Sequence, residues 1–170
     1  MNIEIYSIGQ SEVDAFWGLF AEVLQAEFPG YTKKVLHFMI DKVYTRNAYQ
    51  YWLSQSMKTV FLATAEHEPV GFAVIDDPYG GVSFCRWLGI KKDYQRKGIG
   101  TKLITMWLDH AKATGCHKAE VAAQPIARAF YKKVGLKEEG KRELSYFGID
   151  QYVFGKVLGT PNESVMTNHL

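Results

Sequence analysis

The residues best suited to chemistry form a basic turn that contains two glycines. In order, the turn consists of Gln95, Arg96, Lys97, Gly98, Ile99, Gly100 and Thr101. A run rich in β-formers precedes it and apolar residues at helical spacing follow it, so a strand leads into the turn and the turn opens a helix. Backbone N–H groups and a helix N-terminus then meet at one place, which favours an anion, most naturally a phosphate. Gly98 and Gly100 lack a Cβ and let a large ligand approach, while Arg96 and Lys97 add positive charge.

Several kinds of phosphate-binding turn contain such glycines, and spacing distinguishes them. In a P-loop the last glycine is followed by Lys and then Ser or Thr, but here Thr101 comes before Lys102 and no glycine stands five residues before Gly100. A dinucleotide-binding turn requires a third glycine, and Leu103 stands at that position, although Glu120 lies at about the right distance for the acid that binds the ribose. A tight turn without a ligand would explain the glycines but not the basic residues before them.

Length and composition predict a single domain. The chain has 170 residues, 47% of them apolar and 22% charged, as in ordinary globular proteins. We expect one domain over residues 1–158 and a polar C-terminal tail, residues 159–170, that carries no pattern. The formal net charge of +2 is too small to predict nucleic-acid binding.

The cellular context is predicted from cysteine usage and from apolar runs. Cys85 and Cys116 fall on or beside predicted core elements, which fits buried apolar thiols in a reducing compartment. The first residues do not resemble a signal peptide, and no apolar run reaches the roughly 18–20 residues that span a bilayer. We therefore expect a soluble, cytoplasmic protein without a membrane partner. No histidine or cysteine pair has the spacing of metal ligands, so we expect no metal.

The apolar pattern predicts an antiparallel meander followed by a strand–helix–strand unit. Predicted strands cover residues 2–7, 59–65, 70–75, 82–90 and 117–123, and two more lie within 136–158. Predicted helices cover a segment from an N-cap at Ser11 to Glu27, a region capped by Thr32 with a break near residues 45–47, and residues 101–114 and 126–134. The intervening helix makes the strand at 117–123 parallel to the strand at 82–90.

Three motifs together resemble the GCN5-related N-acetyltransferase (GNAT) superfamily. Residues 95–100 resemble its acetyl-CoA pyrophosphate loop, Q/R-x-x-G-x-G/A, residues 87–90 with Asp93 and Tyr94 resemble its central strand and strand exit, and residues 127–136 resemble its late helix. The resemblance covers about residues 2–158. It implies the α/β (α+β) GNAT fold, with a mixed sheet of six to seven strands, an antiparallel meander, one parallel pair splayed at the cofactor slot, and about four flanking helices.

The resemblance also implies an activity and its site. The family transfers an acetyl group from acetyl-CoA to a primary amine of a small molecule or peptide, by direct attack in a ternary complex. Tyr131 matches the tyrosine that protonates the leaving thiolate. The turn backbone from Arg96 to Thr101 is expected to hold the pyrophosphate, and the pantetheine arm is expected to pair with the strand at Leu88, Gly89 and Ile90. Dimerisation through the final strands is common in the family, so a homodimer is a further expectation.

The chain departs from the family pattern at three points, of which one, Leu136 in place of the usual Phe, is a core change of little consequence. Gln124 stands where the family often has Asn, and the glutamine amide still provides a hydrogen-bond donor and acceptor. No Glu lies on the strand at residues 84–90, where some members carry a general base. The base therefore stays open between Glu22, Glu27, Glu120, His37 and water.

The acceptor is equally open. The region expected to receive it is aromatic, with Tyr31, Tyr44, Tyr49, Tyr51, Trp52, Tyr146 and Phe147. Such a wall suits an amine with an apolar portion or a cation held over a ring, and it suits an ordinary core as well. Small amines, polyamines, amino acids and peptides all stay open as acceptors. A non-catalytic CoA-binding or interaction module with the same fold stays open as an alternative function.

Overall fold

Seven strands form one mixed sheet in the computed structural model, which describes residues 1–168. The strands are β1 (Ile3–Ser7), β2 (Lys58–Ala65), β3 (Glu68–Asp76), β4 (Val82–Ile90), β5 (Lys118–Ala123), β6 (Lys137–Arg142) and β7 (Gln151–Val157). Their order in the sheet is β1-β2-β3-β4-β5-β7-β6, and every neighbouring pair is antiparallel except β4 and β5. The predicted meander, the single parallel pair and the two final strands are confirmed.

Residues 1–168 also form six α-helices. They are α1 (Val13–Glu27), α2 (Lys33–Phe38), α3 (Arg46–Ser54), α4 (Ile99–Ala113), α5 (Arg128–Lys133) and α6 (Glu163–Met166). The Thr32 hydroxyl accepts the Val35 N–H, so the predicted cap of α2 is confirmed. The predicted break also exists, because a π-helical turn ends at Val43 and Thr45 caps α3 through the Ala48 N–H.

The predicted start of the first helix is wrong. Ser11 lies inside a short 3₁₀ turn, Gln10–Glu12, and α1 begins only at Val13. The Glu12 carboxylate reaches back and accepts the Gly9 N–H at 2.9 Å. The Glu12 side chain thus satisfies the N–H of the residue that precedes the 3₁₀ turn, and α1 itself begins without a side-chain cap.

The apolar residues form one core on each face of the sheet. The first core lies under α1–α3 and contains Phe16, Phe20 and Tyr49, whose rings meet at centroid distances of 4.8–5.8 Å. The second lies under α4 and α5 and includes Trp107, whose indole N–H donates to the Ser83 hydroxyl at 2.9 Å. Burial of these large rings on both faces fixes the position of β4 between α1 and α4.

Strand β4 changes its pairing in the middle. Val74 of β3 pairs with Trp87 but the next residue, Ile75, pairs with Cys85, so Arg86 is the extra residue of a β-bulge. On the other side, β4 pairs with β5 only up to Cys85 and Val121. Beyond this point the two parallel strands are no longer paired with each other, as the resemblance implied, and a gap opens between their carboxyl ends.

The C-terminal tail is not wholly without structure. Residues 159–168 are polar, but residues 163–166 form α6, and the side chains of Val165 and Met166 lie against Gly115 and Gly81. The expectation of a patternless tail is therefore wrong at this one turn, because two half-buried apolar side chains dock it. Residues 169–170 lie outside the described part of the chain. Within residues 1–168, no helix is long and apolar enough to cross a membrane.

Gly89 permits the close approach of α1 to β4. A Cβ at Gly89 would stand 2.7 Å from both Phe72 Cζ and Val23 Cγ1. We expect Gly89→Ala to lower the free energy of unfolding by about 1–3 kcal/mol through overpacking, as measured by urea denaturation. The matched control is Gly18→Ala on the exposed side of α1, where nothing lies within 4 Å of the added methyl group. This helix change should instead stabilise by about 0.5–1 kcal/mol, and equal effects of the two changes would contradict the packing argument.

Candidate active site

A cavity of about 710 Å³ fills the gap between the carboxyl ends of β4 and β5. We call it the glycine-turn cavity, and its lining includes Leu88, Gly89, Ile90, Gln95, Arg96, Gly98, Gly100, Thr101, Gln124, Ala127, Phe130 and Tyr131. Nearly all of the predicted site residues therefore lie in one place. Two do not line it: Ile99 is buried in the core below the turn, and the ammonium of Lys97 lies over the ring of Tyr94, 5.6 Å from its centroid.

The turn presents its backbone to this cavity. Gly98 is the N-cap of α4 with a φ of +81°, which favours glycine, and a Cβ there would meet nothing within 4 Å. The first N–H groups of α4 have no acceptor within the helix, and they lie at the positive end of its dipole. Arg96 also has a positive φ, +59°, and is exposed. Open space, free donors and positive charge at one helix terminus suit a phosphate group.

The end of α1 closes one side of the cavity through Glu27. The Gln95 side-chain amide donates to the Glu27 carboxylate at 2.8 Å and to the Ile90 carbonyl at 3.0 Å. The Gln124 side-chain amide, at the end of β5, donates to the Glu27 carbonyl at 3.1 Å. The Gln124 amide thus connects β5 with α1 across the gap.

A second cavity, of about 380 Å³, lies on the α1–α3 side of the same gap. We call it the aromatic cavity because rings form much of its wall, namely Phe28, Tyr31, Tyr44, Phe84, Trp87, Tyr131, Tyr146 and Phe147. Of the aromatic residues expected to surround the acceptor, Tyr31, Tyr44, Tyr146 and Phe147 line it. Tyr49 is fully buried in the core, and Tyr51 and Trp52 do not line the cavity.

Tyr131 lines both cavities. It lies on α5, only 5% exposed, with its ring against Phe130 and Phe154 at centroid distances of 5.1 and 5.6 Å. Burial raises the pKa of Tyr131 well above its ordinary value of 10.0, and the neighbouring Cys85 thiol adds to the shift. The phenol therefore keeps its proton near neutral pH and can donate it.

The four side chains considered as bases lie elsewhere. Glu22 is exposed and pairs with Lys91 at 3.5 Å, and Glu27 lines the glycine-turn cavity rather than the aromatic one. Glu120 pairs with Lys118 at 3.1 Å, and His37 is exposed on α2. Among residues 1–168, no carboxylate or imidazole lines the aromatic cavity. The same residues contain no group of three or more side chains that could hold a metal ion.

Four polar residues of the aromatic cavity were not predicted to line it: Arg86, Trp87, Arg142 and Gln151. Arg86 carried a signal, because it is the one charged residue inside an apolar strand. Trp87 was expected only as part of the strand motif, and the bulge turns it towards the α1–α3 core. Arg142 and Gln151 had no signal, since they reach the cavity only because β7 inserts between β5 and β6.

Comparison with known proteins agrees with this geometry. Among solved structures, the chain is similar to PaiA N-acetyltransferase from Thermoplasma acidophilum in complex with coenzyme A, with a TM-score of 0.78 and 19% identity, covering 92% of this chain and 99% of that chain. It is also similar to ribosomal-protein-S5-alanine acetyltransferase from Vibrio fischeri, with a TM-score of 0.75 and 15% identity, covering 95% and 96% of the two chains.

The sequence comparisons give one positive result. No curated protein sequence matches the chain. The model of the acetyltransferase (GNAT) family matches residues 20–136, which is more than half of the chain. This protein therefore belongs to the acetyltransferase (GNAT) family of acyl-CoA-dependent N-acetyltransferases.

Proposed function

We propose that the protein transfers the acetyl group of acetyl-CoA to a primary amine of a small molecule or peptide, by direct attack in a ternary complex. The observation that carries this proposal is the position of Tyr131, a buried protonated phenol in the wall that the glycine-turn cavity and the aromatic cavity share. A donor in the first cavity and an acceptor in the second would meet beside it.

The glycine-turn cavity supports acetyl-CoA as the donor. Gly98, Gly100 and the free N–H groups at the start of α4 suit a pyrophosphate, with Arg96 at the rim. Leu88 and Ile90 lie on the side of β4 that has lost its partner strand, where an extended pantetheine arm can hydrogen-bond as a strand does. The Ile90 carbonyl already accepts one hydrogen bond from Gln95 and retains a second lone pair.

Tyr131 has one proton to supply in this reaction. The amine, with a reference pKa of about 10.4, first loses one proton to water and then forms its bond to the acetyl carbon. As the carbon–sulfur bond breaks, Tyr131 donates its proton to the sulfur. The second proton of the nitrogen restores the phenol. One ammonium and one thioester thus give one amide, one thiol and one free proton.

Water is the proposed acceptor of the first proton. None of Glu22, Glu27, Glu120 and His37 lines the aromatic cavity, and the phenols of Tyr31 and Tyr44 have pKa values raised by burial. A water chain leaving the cavity needs no fixed carboxylate.

The absence of Glu22, Glu27, Glu120 and His37 from the lining of the aromatic cavity also favours a second candidate function, a non-catalytic CoA-binding module. A chain without a base near the acceptor could retain donor binding alone. Release of the CoA thiol, measured over a panel of amines, separates the two functions. Turnover with any amine supports the enzyme, and tight CoA binding with no turnover supports the module.

We predict that Tyr131→Phe lowers kcat by about 10²–10⁴-fold, the range for loss of a general acid. The KM for acetyl-CoA should stay near its original value, because the ring and its packing remain. Steady-state kinetics of thiol release measure both parameters. The control is Tyr152→Phe, since Tyr152 lines neither cavity. An unchanged kcat in Tyr131→Phe would mean that another group protonates the sulfur.

The pH profile gives a second check on Tyr131. Because its pKa is raised well above 10.0, the phenol stays protonated as pH rises through the range in which the amine loses its proton. At saturating substrates, kcat should rise with pH to a plateau and show no descending limb up to about pH 10. A descending limb present in the original protein and absent from Tyr131→Phe would contradict the raised pKa.

For the glycine turn, we predict that Gly98→Val raises the KM for acetyl-CoA by at least about tenfold, equivalent to about 1.4 kcal/mol. The side chain would occupy the open space that the pyrophosphate is proposed to fill. The control is Gly80→Val, because Gly80 has a φ of +59° and similar open space but lies in the β3–β4 turn. Backbone strain is thus matched, and equal KM values in the two variants would remove Gly98 from the donor site.

A further inference from the structure

The aromatic cavity has an unusual charge for the site of an amine. Two arginines, Arg86 and Arg142, line it, and among the residues that the structure describes no carboxylate does. A free ammonium group or a polyamine would be repelled by these charges and would find no counter-ion. The lining instead suits an acceptor that carries its own negative charge.

The charge of Arg142 is available to a ligand. Arg142 is the last residue of β6, where it pairs with Gln151 of β7. The carboxylates of Glu143 and Asp150, in the segment between β6 and β7, both pair with Lys141, at 3.8 and 3.2 Å. Arg142 itself forms no salt bridge with any residue in 1–168. Its guanidinium can therefore form the two parallel hydrogen bonds that a carboxylate accepts from arginine.

Arg86 adds to the positive potential although it has a partner. Its Nε and Nη2 donate to Asp76 Oδ2 at 2.9 and 2.6 Å, and Lys58 binds the other oxygen of Asp76. Two cations share one carboxylate, which leaves one positive charge on this cluster. The guanidinium also lies 4.6 Å from the centroid of the Phe84 ring, which holds it at the cavity wall.

Two further polar atoms of the wall lack a partner. Trp87 is only 7% exposed, and neither its indole N–H nor the side-chain oxygen of Gln151 has a hydrogen bond within the described chain. The Tyr44 hydroxyl lies beside the Trp87 indole and the Tyr31 hydroxyl lies beside the Gln151 side chain, and each of these neighbours offsets part of the rise in phenol pKa that burial causes. Burying polar atoms without a full hydrogen bond is costly, so Trp87 and Gln151 make this wall better suited to a polar ligand than to a purely apolar one.

We propose that the acceptor is an α-amino acid with an apolar or aromatic side chain, whose carboxylate is bound by Arg142 in the field of Arg86. Its side chain packs against the rings of the cavity. This inference rests on the proposed function. Polyamines are excluded by the arginines, and a peptide N-terminus lacks the carboxylate beside its amino group.

The test compares matched acceptors. Free leucine, phenylalanine and tryptophan are each assayed beside their amides and their decarboxylated amines, with spermidine as a cationic acceptor. We expect kcat/KM for at least one free amino acid to exceed that of its amide and of its amine by at least about tenfold, because only the free acid pairs with Arg142.

A pair of variants assigns the preference to the cavity. Arg142→Gln should reduce kcat/KM for the preferred amino acid by about tenfold, mainly through its KM, and leave the KM for acetyl-CoA unchanged. The matched control is Arg128→Gln, because Arg128 pairs with Glu138 and lines neither cavity. This control should retain the preference.

The outcomes separate the inference from the proposed function. Turnover of amides, simple amines or spermidine as good as that of the amino acids, or a preference unaffected by Arg142→Gln, overturns the inference while acetyl transfer stands. If no amine turns over, calorimetry with N-acetyl amino acids in the presence of CoA tests whether the aromatic cavity binds amino acids through Arg142. Binding that Arg142→Gln weakens supports the inference without the enzyme activity, and absence of binding overturns it.

Discussion

The separation of β4 from β5 is the constraint on which the site depends. The two strands pair only through residues Val82–Cys85 and Lys118–Val121, and the bulge at Arg86 lies where the pairing stops. A sheet normally satisfies its backbone groups by continuing the ladder. Here the ladder ends inside the sheet rather than at its edge, so unpaired backbone groups face a cavity that two packed layers keep open. Both cavities exist because of this divergence, and they share the residues that lie between the strands.

The raised pKa of Tyr131 comes from the position of its side chain in the fold. The phenol comes from α5, a six-residue helix that follows β5 directly and covers the gap. Packing against Phe130 and Phe154 removes it from water, and the loss of solvation raises its pKa. The same side chain on the surface would be an ordinary tyrosine. Burial between these rings thus distinguishes Tyr131 from the exposed tyrosines of the chain.

Local patterns predicted the fold well because strands, glycines and caps act over short distances. The strands, the break before α3 and the glycine turn all followed from residues within a few positions of one another. The predicted start of α1 was wrong because a 3₁₀ turn that contains Ser11 precedes the helix, and local residue types do not distinguish such a turn from the first turn of an α-helix. The aromatic cavity could not be predicted in this way. Arg142 and Gln151 reach it through strand insertion, and the bulge at Arg86 depends on the register with β3. Such long-range pairings have no counterpart in a single sequence.

Glu27 links the two sides of the gap to the stability with which α1 packs on the sheet. Its carboxylate holds Gln95 from the glycine turn, and its carbonyl holds Gln124 from the end of β5. One residue at the last turn of α1 therefore joins both rims of the gap. A molecule that binds in the gap only while these bonds are formed stabilises the packing of α1 on the sheet. By linkage, the packing of α1 favours binding of that molecule by the same free energy. For such a molecule, the aromatic packing of Phe16 and Phe20, more than 10 Å from Glu27 along the helix at about 1.5 Å per residue, would contribute to affinity through local folding stability.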